Sequence, residues 1–107
     1  MSTSLETQID DCKILIKRIE IDRAKAEEQI LMILRDINQD KRRLEWAKQK
    51  EQVAPETLEL LQYTITRSYI EIEKYEVDAR HHTRRLEIAN ENLKDLLTSV
   101  KRVTFAE

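Results

Sequence analysis

Apolar residues in the first half of the chain step by four and three: Leu5, Ile9, Cys12, Ile16, Ile19, Ala26, Ile30, Ile33, Ile37, Leu44 and Ala47, with only Arg23 and Asp40 interrupting. A stripe with a period of about 3.5 residues, held over roughly six heptads, is a coiled-coil seam rather than the broader face of a globular helix. The second half supplies a matching seam in Leu58, Leu61, Ile65, Ile72, Tyr75, Ala79, Leu86, Ala89, Leu93, Leu96, Val100 and Val103. The fold class expected is all-α: an antiparallel two-helix coiled-coil hairpin that packs as a dimeric four-helix bundle.

Start and stop signals divide the chain. Thr3-Ser4-Leu5-Glu6 fits a capping box, which opens the first helix near residue 4. Pro55 lacks an amide hydrogen and disfavours a helical Ala54, so the first helix is expected to end at about residue 51, with a turn over about 52–55. Pro55 then suits the first position of the second helix, Glu56 its positive end, and Val53 can staple onto Leu58. That helix is expected to run to about residue 101, leaving 102–107 as a fraying tail of a single 1–107 hairpin.

Folding back about Ala54 makes facing residue numbers add to about 108, each arm being a rod of about 70 Å at the helical rise. In that register Cys12 meets Leu96, Ile19 meets Ala89, Ala26 meets His82, Ile33 meets Tyr75 and Ala47 meets Leu61. Asp40 then comes opposite Ser68, and a polar layer inside an apolar seam is a way of fixing register.

With Ile9 and Leu58 as a positions, the e, b and f positions form a flank beside the seam. It carries Ile14, Ile21, Ala24, Leu31 and Leu34 from the first helix and Tyr63, Tyr69, Ile70 and Val77 from the second. A continuous apolar flank is a docking surface, since soluble monomers rarely leave such patches to water. Burying it against a second copy is the simplest solution, and an unidentified protein partner is the competitor. Trp46 and Leu60 fall near the turn among Arg42, Arg43 and other basic residues, a candidate tip contact, because Trp and Arg are enriched in binding hot spots.

Composition narrows the classes. The 107 residues contain no Gly, one Pro and 37% charged side chains, which leaves little of the turn chemistry that sheets need. At 40% hydrophobic and periodic, the chain is not of the disordered type. A net charge of −2 favours neither nucleic acid nor a membrane surface as a bulk partner. The densest basic run is Arg80-His81-His82-Thr83-Arg84-Arg85, where Arg80, Arg84 and Arg85 are candidates to grip an anion. Acidic neighbours, Asp22 facing Arg85 among them, turn the run into a salt-bridged belt, so a nucleic-acid-associated role, through the belt at 80–85 or the basic hairpin tip, is the alternative to protein binding.

No catalytic residues, cofactor or metal ligands are expected. HExxH, CxxC and phosphate-loop patterns are missing, and adjacent His81 and His82 cannot share one metal-facing side. Cys12, the sole cysteine, lies on the seam and reads as a small buried thiol. The chain starts without a basic or apolar signal region and holds no apolar run of about 18 residues, so a soluble, cytoplasmic protein in a reducing compartment is expected, with no membrane partner. The function read from these features is a non-enzymatic coiled-coil adaptor, scaffold or small chaperone-like protein.

Overall fold

The computed structural model describes the backbone of residues 2–106 and the side chains of residues 4–102. Two α-helices, α1 (Ser2–Lys48) and α2 (Pro55–Ala106), form an all-α helical hairpin, with no strand among the described residues. Helix α1 begins ahead of Thr3, which removes Thr3 from the cap position the sequence suggests for it, and Thr3's side chain lies outside the described residues. Helix α2 continues through Ala106, so the expected tail at 102–106 is helical, while Glu107 lies outside the described residues. With no Gly or Pro between Pro55 and Ala106, nothing local stops it earlier.

The turn comes three residues sooner than Pro55 alone suggests. Helix α1 ends at Lys48, where the Gln49 amide donates to the Trp46 carbonyl at 3.2 Å and the Lys50 amide to the Ala47 carbonyl at 3.1 Å. These tighter i→i+3 bonds satisfy carbonyls that the helix end would otherwise leave open. On the far side the Thr57 amide donates to the Ala54 carbonyl at 3.0 Å, which starts α2 with Pro55 in its first position. Val53 and Leu58, the two positions a staple joins, are both half-buried.

The nine apolar residues buried among the described side chains all fall on a or d positions: Ile9, Ile16, Ile19, Ala26, Ile37, Ala47, Ile65, Ile72 and Ala89. The seam is therefore the core, as the heptad pattern requires.

The chain divides into two compact units, 1–24 with 79–107, and 25–78. In the first, Ile16, Ile19 and Ala89 form the buried cluster, with Cys12, Leu86 and Leu93 packed against it. In the second, Ile37, Ile65 and Ile72 are the buried cluster and Ile30, Ile33 and Leu44 pack on it, Ile37 being 1% exposed.

These clusters correct the register. The Cys12 thiol donates to the Ala89 carbonyl at 3.3 Å. Were Cys12 level with Leu96, that carbonyl would lie about 10 Å further along the helix, seven residues at 1.5 Å each. Ile37 packs with both Ile65 and Ile72, which places it level with the residue midway between them. Facing numbers therefore add to about 105, not 108. The cause is twofold: the turn is centred between Lys48 and Pro55, ahead of Ala54, and in an antiparallel pair each a position lies level with a d position of the other helix. Ile16 then pairs with Ala89, Ile19 with Leu86 and Cys12 with Leu93.

The expected Asp40–Ser68 layer dissolves with that shift. Each polar group finds its partner on its own helix: the Ser68 hydroxyl donates to the Thr64 carbonyl at 2.9 Å, and Asp40 Oδ1 lies 3.5 Å from Arg43 Nη1. Asp40 stays mostly covered at its seam position, 15% exposed, while the guanidinium it meets is 70% exposed.

Candidate functional site: an apolar flank on the 25–78 unit

Leu31 and Leu34 on α1, with Tyr63, Tyr69, Ile70 and Val77 on α2, are all exposed, Leu31 by 65%. Their positions in the heptad explain this. An e, b or f side chain points away from the helix that covers its a and d neighbours, so a hairpin of two helices has nothing to lay over it. Tyr69 is partly covered from within, because Lys41 Nζ sits 5.2 Å from its ring centroid, a cross-helix cation–π contact between two e positions. Heptad periodicity places Tyr69 on the flank but does not by itself pair it with Lys41. The signal was there, since e positions of antiparallel helices lie on one side.

In the 1–24 and 79–107 unit, Ile14 and Ile21 are exposed likewise. That unit also has an apolar feature not expected from the sequence. Leu15 and Ile88, both exposed, line a shallow groove whose floor is Ile19 and Ala89 and whose rim is Arg85 and Asn92. Leu15 is a g residue and Ile88 a c residue, on the flank opposite to e and b. Reading the g and c positions as a set would have found them.

Near the turn, Trp46 is 62% exposed and Leu60 65%. Lys50 Nζ lies 5.0 Å from the Trp46 ring centroid, so the indole carries a lysine stem on one face. Arg43 is engaged with Asp40, whereas Arg42 is exposed. These side chains are close in sequence to the turn, and the contacts they make, Lys50 over Trp46 and Arg43 with Asp40, do not join them into one site.

The basic run does not converge either. Arg80 and Arg84 line one groove together with Thr83, Ile88 and the carboxylates of Glu87 and Glu91, which offset their charge. Arg85 lies around the helix, in the groove of Leu15 and Ile88, with Nη1 3.4 Å from His82 Nδ1, the acceptor when that ring carries its proton on Nε2. His82, one turn earlier on the same helix, is the partner the structure gives this guanidinium. His81 and His82 rings are tilted by 54° with centroids 5.9 Å apart. Among the described residues no group of three or more His, Cys, Asp or Glu side chains is placed to hold a metal ion, and no helix is long and apolar enough to cross a membrane. Set against known protein families, curated proteins and solved structures, the chain matches none.

Proposed function

We propose that this chain is a non-enzymatic coiled-coil interaction module, an adaptor, scaffold or small chaperone-like protein, that works by covering its apolar flank with another protein, a second copy in the first instance. The observation that carries the reading is the group Leu31, Leu34, Ile70 and Val77, exposed on one unit whose seam is otherwise filled. Large aliphatic side chains grouped on an otherwise charged surface mark interaction sites. A bundle of four helices buries what two cannot. The cytoplasmic, reducing setting belongs to this reading and is supported by the half-buried free thiol of Cys12, which has a carbonyl partner rather than a second sulfur. The nucleic-acid alternative gains no support from the basic run, because Glu87 and Glu91 share the groove of Arg80 and Arg84.

Association makes the melting temperature depend on protein concentration. Circular dichroism melts of the wild-type chain across a hundredfold range should show the midpoint rising. The double variant Leu34→Glu with Ile70→Glu should melt at one temperature throughout. A wild-type midpoint that stays fixed would contradict the dimer.

A further inference from the structure

The apolar flank of the 25–78 unit is bounded on α1 by opposite charges. Glu27 and Glu28 precede Leu31, and Lys41 and Arg42 follow Leu34, all four side chains exposed. Glu28 and Arg42 are each seven residues, about 10 Å, from Arg35. On α2 the exposed Tyr63 and Val77 are each seven residues from Ile70. The register fixed by Ile37 between Ile65 and Ile72 makes Arg35 level with Ile70. Both helices are thus symmetric about the same level, in charge on one and in apolar bulk on the other.

Resting on the side-face reading above, we infer that two copies pack antiparallel, α1 on α1 and α2 on α2, about a two-fold axis crossing the flank at the level of Leu34, Arg35 and Ile70. That axis brings Glu28 of each copy to Arg42 of the other and Glu27 to Lys41. It seats Ile70 on Ile70 and Tyr63 on Val77. An isologous contact of this kind repeats each ion pair twice, so the charge pattern counts double. The competing arrangement is opposed by the same charges. Two copies aligned in the same direction about a two-fold axis must lay α1 on the second copy's α2, which brings Glu27 and Glu28 to the exposed Glu76. Like charges facing each other across an interface select against a pairing more strongly than matched ones strengthen it. Arg35, an f residue like Glu28 and Arg42, meets its own counterpart at the axis, one like-charge contact set against two Glu28–Arg42 and two Glu27–Lys41 pairs.

The test is a set of exposed charge reversals read as dimer dissociation constants by sedimentation equilibrium at low salt, with helical content checked for each variant. Glu28→Arg alone and Arg42→Glu alone should each weaken the dimer about tenfold, because each creates two like-charge contacts. The combined variant Glu28→Arg with Arg42→Glu should return to within about threefold of the wild type, since the antiparallel pairing again sets opposite signs together. Losses that add in the combined variant, or single reversals that change nothing, overturn the antiparallel pairing. Leu34→Glu with Ile70→Glu separates the surface from the axis: if it abolishes the dimer while the charge reversals are silent, the flank is the interface but the axis is wrong. If the wild type is monomeric at every concentration, both fall.

Discussion

Cys12 Sγ donates to the carbonyl of Ala89 at 3.3 Å, and this one contact fixes which turn of α2 lies against which turn of α1 at the open end of the hairpin. A thiol is a weak donor, so the bond itself adds little. Its value is as a marker, because a small sulfur at a d position reaches the opposite backbone only when the layers are a on d.

That register can be read chemically. With Cys12 level with Leu93, the variant Leu93→Cys should oxidise to an intrachain disulfide under mild conditions, seen as a loss of two thiols and a faster band on a non-reducing gel. Leu96→Cys should not, being about one turn too far for sulfur–sulfur bonding geometry. The reverse preference would restore the register in which facing numbers add to 108.

Asp40 and Ser68 should behave as strangers. Each has a partner on its own helix, so replacing them with Leu should act independently, with a coupling below about 0.5 kcal/mol in a double-mutant cycle. Asp40→Leu is expected to stabilise the hairpin by about 1 kcal/mol, because a seam position exchanges a mostly buried carboxylate for an apolar side chain. A coupling well above 1 kcal/mol would show that the two side chains do meet.

Trp46, the only tryptophan, should report its own exposure. Its emission is expected to be that of a water-exposed indole, readily quenched by acrylamide. Lys50→Ala should raise the access of quencher to the ring by removing the ammonium stem above it. A blue-shifted emission resistant to quencher in the free protein would mean the indole is covered by something more than Lys50.

The hairpin itself was legible in the sequence because one physical signal dominates it. Each residue buried in the structure lies on the heptad a and d positions, and Pro55 marks the start of α2. The register was not legible to within a turn, because a break near Pro55 says that the chain reverses but not where the turn is centred. Shifting that centre by fewer than two residues moves every facing pair by three, which exchanged Leu96 for Leu93 opposite Cys12 and separated Asp40 from Ser68. The exposure of Leu31, Leu34, Ile70 and Val77 follows from the same heptad lettering and was legible for that reason. Leu15 and Ile88 escaped because they stand on the g and c flank, where the pattern is sparse and each residue taken alone resembles ordinary surface scatter. Lys41 over Tyr69 and Lys50 over Trp46 depend on the reach of long flexible side chains, which periodicity does not encode.

The exposed flank of the 25–78 unit is the surface proposed here for meeting another protein, beginning with a second copy. Sedimentation equilibrium at micromolar concentration weighs it directly. The wild-type chain should approach twice its 12.8 kDa mass, and Leu34→Glu with Ile70→Glu should give 12.8 kDa with its helical content intact. A wild-type chain that sediments at the single-chain mass, or a double variant that keeps the doubled mass, would contradict it.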